Sequence, residues 1–301
     1  MGEKDITEKT LEDYNDVFSD IVNVLLFDGK QLVKEDDLKS IKTKSQIKID
    51  GSIHEQERDN VKIWQSNRIR IAMIGFENQT DTDNYEPARV LSYDGSSYKE
   101  QLAEIKNCRK NKKPVPSLVP VITIVLHFGK NTWKNTSLYD CFSVPDYLKD
   151  YVSNYKINVV NFTDLPKEKV EKFKSDFRII ADYFYQIYHG ESYIPCDKPM
   201  DHPDAVLKTM TALTGDHRFE DSINELTAAG KEKTMCKALD IIVARGEERV
   251  EARGIKIFIK DKLEDNIPES KIIEKLKKNY DMTEDIAKAK IKECLNDMSS
   301  K

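Results

Sequence analysis

The sequence predicts a mixed α/β fold followed by a helical region. Two runs, Arg68–Phe76 and Val119–Phe128, are apolar on both faces of a strand, as expected for strands that helices cover on both sides. An apolar stripe at helical spacing precedes them, from Ile6 to Phe27, and ends at the turn signal Asp28-Gly29. After about residue 190 only helical patterns are found, so the chain divides into an α/β part and a helical part.

The predicted elements follow in the order helix, three strands, helix and strand. Asp50-Gly51 predicts a hairpin turn between the first two strands, and residues 30 to 45 are predicted as a loop or a short acidic helix. The strands are predicted at Ser45–Asp50, Ile53–Trp64, Arg68–Phe76, Val119–Phe128 and Ile157–Phe162; the helices are predicted at 85–107 (with a possible break at Asp94-Gly95), Lys167–Tyr188, Asp204–Thr214, Asp221–Ala229, Met235–Leu263, Pro268–Asn279 and Thr283–Asp297.

Three regions are predicted along the chain. Residues 1–190 form the α/β core, residues 191–230 a helical connection packed on that core, and residues 231–301 a helical C-terminal region. The Pro-rich stretch Tyr193–Pro203 marks the first boundary. The C-terminal helices are compatible with a helix-turn-helix that reads DNA, or with a hairpin that binds a partner or forms a homodimer.

Composition and charge exclude several classes of protein. The net charge of −5 gives no global reason to expect nucleic acid as a partner, so any DNA-binding face must be local. The 5 cysteines are scattered and form no Cys-x-x-Cys pair, which argues against zinc and favours a reducing, cytoplasmic location. No apolar run is long enough to predict a membrane span, and no Gly-rich phosphate loop or nucleophile elbow is found.

Acidic residues lie around the end of the third predicted strand. Glu77 and Gln79 share one face of this strand because side chains alternate, and an adjacent antiparallel strand could bring Asp59 beside Glu77. Two converging carboxylates form an oxygen-rich site for a hard cation such as Mg²⁺. The alternative is a solvated strand end with ordinary turn residues. His127, at the end of the next predicted strand, is interpreted as a structural histidine, with a catalytic histidine as the alternative.

A local basic segment is the candidate contact with nucleic acid. The stretch from Glu104 to Lys134 contains 7 Lys and Arg residues against 1 acidic residue. Contacts between lysine and phosphate would give sequence-independent, salt-sensitive binding, although such a run is also compatible with a solvated loop. The candidate DNA-binding residues are Lys110, Lys112, Lys113 and Lys130.

Several short motifs together resemble one known family. They are Tyr14-Asn-Asp16-Val-Phe18, Glu57-Arg-Asp59, Ile69–Gly75 leading into Glu77-Asn-Gln79-Thr80, Pro87–Tyr93 and Val121–Phe128, with later similarity at Lys174–Asp182 and Met210–Asp216. With these motifs, roughly residues 5–220 resemble the recombination-promoting nuclease/putative transposase family, within the PD-(D/E)XK nuclease superfamily. The resemblance implies a restriction-endonuclease-like core of order αβββαβ with a metal site at the strand ends.

The resemblance also implies roles for individual residues. Asp59 and Glu77 would hold Mg²⁺, with Mn²⁺ or Ca²⁺ as possible substitutes, and the backbone carbonyl of Asn78 would complete the ligand set. Asp16 matches an acidic position that can hold a second ion or a water molecule. Gln79 stands where many members of the superfamily carry lysine; glutamine can orient water but contributes no charge.

The implied activity is metal-dependent hydrolysis of DNA phosphodiester bonds, in recombination, mobile-element or phage-related processes. The alternative is a catalytically weak or inactive DNA- or protein-binding module that kept the nuclease fold, which the glutamine at position 79 favours.

Overall fold

The computed structural model describes residues 11–41, 44–49, 52–57, 60–66, 69–190, 192–228, 230 and 233–299. It divides the chain into two compact units, Met1–Ala238 and Leu239–Lys301. The mixed α/β fold predicted from the sequence is confirmed. The predicted boundaries of the three regions stay a prediction.

A five-stranded mixed sheet forms the centre of the first unit. Its strands are β1 (Leu38–Ser40), β4 (Asn60–Ser66), β5 (Ile69–Gln79), β6 (Val121–His127) and β7 (Asn158–Asn161). Their order is β1-β4-β5-β6-β7, in which the pairs β1/β4 and β4/β5 are antiparallel and the pairs β5/β6 and β6/β7 are parallel. The central strand β5 is thus flanked by an antiparallel strand on one side and a parallel strand on the other.

Each face of the sheet is covered by helix. Helix α1 (Asn15–Phe27) packs on one face, where the rings of Phe18 and Phe76 lie 4.5 Å apart. Helix α2 (Glu86–Lys110) connects β5 to β6 and packs on the other face, where Val90 clusters with Val125. This double cover explains why β5 and β6 are apolar on both faces, as predicted from the sequence.

Two strands form a hairpin apart from the main sheet, and the strands predicted from the sequence have to be corrected for it. Strands β2 (Lys44–Ile49) and β3 (Ser52–Glu57) pair only with each other, in a second, two-stranded sheet. The single strand predicted at Ile53–Trp64 is therefore wrong, because β3 and β4 are separate strands in different sheets. The first strand of the main sheet is β1, which lies within residues 30 to 45, after a short acidic 3-10 helix (Glu35–Asp37). If only the strands of the main sheet are counted, the chain forms a helix, the three strands β1, β4 and β5, a second helix and the strand β6, and β7 follows.

Two predicted helices also differ from the structure. Helix α2 is continuous through Asp94-Gly95. The helix predicted at Lys167–Tyr188 is two helices, α4 (Lys167–Val170) and α5 (Phe177–Tyr188). They separate because the carboxylate of Asp20 on α1 accepts the backbone N–H groups of Lys174 and Ser175, at 2.8 and 2.7 Å.

The remaining elements are helical, apart from irregular segments. Helix α3 (Leu138–Cys141) and 3-10 helices Asp146–Tyr151 and Phe162–Asp164 flank β7, and α6 (Pro203–Thr214), α7 (Arg218–Asp221) and α8 (Ile223–Ala228) follow α5. The helix predicted at Asp221–Ala229 corresponds to α8, and the short helix α7 that precedes it was not predicted. Among the described residues, no helix combines the length and apolar character needed to cross a membrane.

The second unit is a helical assembly with its own core. Helix α9 (Met235–Glu264) enters it, and α10 (Glu269–Tyr280) and α11 (Glu284–Ser299) complete it. Their apolar faces bury a cluster that is internal to the unit: Ile255, Ile259, Ile272, Leu276, Ala287, Ile291 and Cys294. These helices agree with those predicted from the sequence to within a few residues.

Candidate functional site

The candidate site lies at the carboxyl end of the central strand β5. The Glu77 side chain is only 3% exposed and that of Asn78 is also buried, while Gln79 is partly exposed. Because β5 and β6 are parallel, Gln79 ends its strand beside His127, its register partner. Ligands of open α/β sheets bind at such carboxyl ends, so this edge is the natural place for a site.

Glu77 and Gln79 face the side of the sheet that α2 covers. Glu77 is the register partner of Val125, and Val125 packs against Val90 of α2. Directly paired residues of neighbouring strands project to the same face, so Glu77, Gln79 and His127 share that face. Helix α2 begins there with Glu86, whose side chain is fully buried and lies 3.2 Å from the guanidinium of Arg89. Glu86 was not among the residues predicted from the sequence.

Asp59 lies outside the described residues, so its predicted place beside Glu77 stays a prediction. Asn60 pairs with Phe76 across the antiparallel strands, and these are the immediate chain neighbours of Asp59 and Glu77.

Asp16 lies on α1, which covers the other face of the sheet. Both of its carboxylate oxygens are 3.1 Å from Nε2 of His202, and the His202 ring stacks on Tyr14 with 3.6 Å between ring centroids. The structure thus pairs Asp16 with His202. The predicted role of Asp16 toward a second ion stays a prediction.

The predicted DNA-binding lysines are divided between two edges of the sheet. Lys130 follows β6 and lies at the carboxyl edge, close in sequence to His127. Lys110 ends α2, and Lys112 and Lys113 follow it, at the opposite edge. Helix α2 spans roughly 36 Å at 1.5 Å per residue, so these three lysines are far from the carboxyl end of β5.

A buried lysine, Lys62, was missed by the sequence analysis. Its side chain is 0% exposed, and its ammonium donates to the backbone carbonyl of Asp13 at 2.6 Å and to Oδ1 of Asn15 at 2.7 Å. Burial lowers the pKa of Lys62 to about 8, although the nearby carboxylates of Asp13, Glu12 and Asp16 oppose the shift. The signal available was a polar residue in an otherwise apolar stretch, which did not identify its partners.

His127 has a defined hydrogen-bonding state. The amide of Asn161 accepts the backbone N–H of Trp133 at 2.8 Å and donates to the carbonyl of Trp133 at 3.3 Å, which fixes the orientation of the amide. Its Oδ1 lies 2.9 Å from Nδ1 of His127, so Nδ1 must be the donor. Burial lowers the pKa of His127, which favours the neutral ring. In that tautomer Nε2 is a hydrogen-bond acceptor.

The oxygen atoms at the carboxyl end of β5 are of the kind that binds a hard cation. A buried carboxylate at Glu77 beside the backbone carbonyl of Asn78 offers the oxygen ligands that Mg²⁺ prefers. Within the described ranges, no three His, Cys, Asp or Glu side chains converge on a single point. Asp59, the other ligand predicted from the sequence, lies outside these ranges.

Comparison with known proteins places the chain in a family. Residues 10–198 match the family model described as "Putative transposase, YhgA-like". The match covers more than half of the chain and includes the whole five-stranded sheet. The chain belongs to this family. It is the family that the sequence motifs resemble, so the resemblance is confirmed.

The match also shows which part of this YhgA-like protein the family defines. It includes α1, β5 and β6, and it ends before α6. The second unit, Leu239–Lys301, lies wholly outside it. No curated protein and no solved structure matches the chain.

Proposed function

We propose that this protein is a metal-dependent endonuclease that hydrolyses DNA phosphodiester bonds, in recombination, mobile-element or phage-related processes. The observation that carries the proposal is the buried Glu77, next to Asn78, at the carboxyl end of the central strand of a mixed sheet. The register of β4 and β5 supports it, because Asn60 and Phe76 are paired neighbours of Asp59 and Glu77. Membership of the transposase family agrees with a substrate of DNA.

The proposed chemistry assigns a role to each residue of this strand end. Asp59, Glu77 and the carbonyl of Asn78 would hold Mg²⁺, with Mn²⁺ or Ca²⁺ as substitutes. When bound, the ion would supply a Lewis acid that stabilises negative charge on the phosphate. Gln79 shares the face of Glu77 and would orient the attacking water through its amide. It cannot accept a proton as a neutral lysine would, so we expect slower cleavage than in relatives that carry lysine.

Plasmid nicking tests the proposed activity and its centre. Purified protein is incubated with supercoiled DNA and Mg²⁺, Mn²⁺, Ca²⁺ or EDTA, alongside Glu77→Gln, which keeps the size of the buried side chain. Glu168→Gln serves as the control because Glu168 is exposed on the short helix α4. We expect metal-dependent nicking that is lost only in Glu77→Gln. Nicking by a folded Glu77→Gln protein at the wild-type rate would exclude this site.

The same experiment separates the nuclease from a binding-only module. A protein that binds DNA in EDTA, yet nicks it with no ion, would have kept the fold without the catalysis. The glutamine at position 79 is the feature that favours this second function.

The position of Lys130 predicts which edge of the sheet the DNA contacts. Lys130 lies at the carboxyl edge with Gln79 and His127, whereas Lys112 lies at the opposite edge. We expect Lys130→Ala to reduce the slope of log Kd against log salt concentration by about 1, as for loss of one phosphate contact. Lys112→Ala is the matched control and should leave the slope unchanged. Equal reductions in both variants would show that DNA extends over both edges.

A further inference from the structure

A cleft opens directly beyond the carboxyl ends of β5 and β6. Its volume is about 680 Å³, within the range of roughly 300–1,000 Å³ of small-molecule sites. One side is formed by the residues after β5, beginning with Thr80, and another by the residues from His127 to Asn131 at the end of β6. Because Thr80 follows Gln79 directly, the cleft borders the proposed cleavage centre.

A buried histidine faces the cleft with an acceptor atom. His127 lines the cleft although its side chain is only 1% exposed. Its Nδ1 donates to Asn161, which leaves Nε2 as the acceptor, and among the described residues nothing donates to Nε2. Gly129 lies directly beside this atom, because a Cβ at position 129 would lie 2.5 Å from it. A hydrogen-bond donor that enters the cleft at this point would therefore meet an acceptor.

The opposite wall of the cleft is aromatic. Tyr183, Phe184 and Tyr188 project into it from α5. The hydroxyl of Tyr188 donates to the carbonyl of Phe128, and the ring of Tyr183 packs edge-on against Phe184 with 5.3 Å between centroids. These contacts hold the rings in place, so a flat ligand would meet preorganised apolar surface rather than mobile side chains.

The charges in the cleft favour a neutral ligand. Its lining includes one cationic residue, Lys130, and one anionic residue, Asp81. The two formal charges cancel, so the cleft as a whole does not attract a free anion. A flat, neutral ring that carries an N–H donor fits the aromatic wall and the histidine acceptor, and Lys130 can contact a phosphate attached to that ring.

We propose that this cleft binds one unpaired nucleobase of a DNA strand, and that the protein therefore prefers DNA with an unpaired nucleotide. The inference rests on the proposed function, in which DNA is the substrate, and it specifies which kind of DNA the protein prefers. A base in a duplex is stacked on both faces and paired along one edge, so only an unpaired or extruded base can enter such a cleft. Stacking on tyrosine would supply the affinity without strong base selectivity, because every base has an aromatic face.

DNA binding in EDTA tests the preference without requiring cleavage. Fluorescence anisotropy compares a labelled 20-base-pair duplex with the same duplex carrying one extra unpaired nucleotide. Since one base would stack on an aromatic ring only in the second DNA, we expect that DNA to bind about 5- to 150-fold more tightly. Tyr183→Leu should bring its affinity to the level of the duplex, whereas Tyr183→Phe should keep the preference.

A matched control lies on the same helix. Tyr185 stacks on His189, with 4.1 Å between ring centroids, and does not line the cleft. Tyr185→Leu should therefore keep the preference, which separates loss of the cleft from general damage to α5. Equal affinity of the wild-type protein for both DNAs would overturn the inference, and so would an undiminished preference in a folded Tyr183→Leu protein.

Two further outcomes separate this inference from related ideas. If the wild-type protein nicks plasmid with Mg²⁺ but shows no preference, the cleft assignment fails and the proposed nuclease stands. If the preference is present and no ion supports nicking, the nuclease fails and the nucleobase cleft stands. Free dAMP is the remaining competitor: displacement of the unpaired-base DNA by dAMP at equal concentrations would show a site for free nucleotides and would overturn the DNA assignment.

Discussion

At the scale of single residues, buried polar groups are the features that distinguish this protein. Lys62 is fully buried, yet its ammonium has two hydrogen-bond acceptors and lies 5.0 Å from the centre of the Phe18 ring. These contacts offset part of the free energy needed to remove the amine from water, but the lowered pKa shows that burial dominates. The two hydrogen bonds of Lys62 thus connect strand β4 with Asp13, before α1, and with Asn15, its first residue.

The pKa of Lys62 predicts a specific dependence of stability on pH. The pKa is about 8 in the folded protein and 10.5 ordinarily, so the unfolded chain binds more protons between these pH values. The stability of the wild type relative to Lys62→Met should therefore rise with pH in this window, by up to about 1.4 kcal/mol per pH unit. Urea unfolding from pH 7 to 10.5 measures the difference. Lys39→Met, at an exposed position of β1, should show no such change. If the difference in the free energy of unfolding between the wild type and Lys62→Met did not vary with pH, the burial of the Lys62 amine would be contradicted.

Replacement of two glycines by alanine should change the free energy of unfolding in opposite directions. A Cβ at Gly129 would lie 2.5 Å from both His127 Nε2 and the carbonyl oxygen of Thr80, so Gly129→Ala should lower the free energy of unfolding by about 1–3 kcal/mol. Gly95 is exposed in the middle of α2 with nothing within 4 Å of a Cβ, so Gly95→Ala should raise it by about 1 kcal/mol. Urea denaturation of both variants checks the pair. An unchanged stability in Gly129→Ala would mean that the strand ends can move apart.

At the scale of elements, α1 and the segment before α5 are joined by one side chain. The buried carboxylate of Asp20 accepts two backbone N–H groups, from Lys174 and Ser175, where the chain is not helical. This contact positions the start of α5, the helix that supplies the aromatic wall of the cleft. It also explains why a periodic sequence from Lys167 to Tyr188 does not form a single helix.

Removal of this carboxylate should destabilise the first unit. Asp20→Ala leaves one buried and one partly buried backbone donor without their acceptor, at an expected cost of about 2–4 kcal/mol. Asp20→Asn keeps a side-chain carbonyl and should be less damaging. Asp36→Ala, at an exposed position of the short 3-10 helix, is the control and should have little effect. Thermal unfolding measures all three, and equal melting temperatures for Asp20→Ala and Asp36→Ala would contradict the role of Asp20.

At the scale of the whole molecule, the chain consists of a family-defined unit and a helical unit outside the family match. The core of the second unit is internal to it, with Ile259, Leu276 and Ile291 among its buried residues. Domains with their own hydrophobic core can fold alone. The roles predicted for its helices, which are to read DNA, to bind a partner or to form a homodimer, stay predictions.

A fragment of residues 239–301 should therefore fold independently. We expect a helical far-UV circular dichroism spectrum with a cooperative thermal transition. Leu276→Ala should abolish the transition or lower its midpoint strongly, since burial of leucine in such a core contributes about 2–5 kcal/mol. Ile286→Ala, at an exposed position of α11, should leave it nearly unchanged. A random-coil spectrum for the unmodified fragment would show that it needs the first unit to fold.

The sequence by itself determined the local structure of this protein and the identity of its family. Short runs that are apolar on both faces predicted β5 and β6, helical spacing predicted α1 and the C-terminal helices, and turn residues placed many of their ends. These signals are local, because each depends on residues within one strand or a few helical turns. The motifs from Tyr14 onward likewise identified the transposase family.

Tertiary structure decided which segments lie together. It placed β2 and β3 outside the main sheet, separated Lys130 from Lys112, paired Asp16 with His202 and gave Lys62 its buried acceptors. It also fixed the acceptor atom of His127 through Asn161 and Trp133, which are distant in sequence. Contacts of this kind arise when remote segments pack, and the free energy of that packing is not a property of any short stretch of the chain.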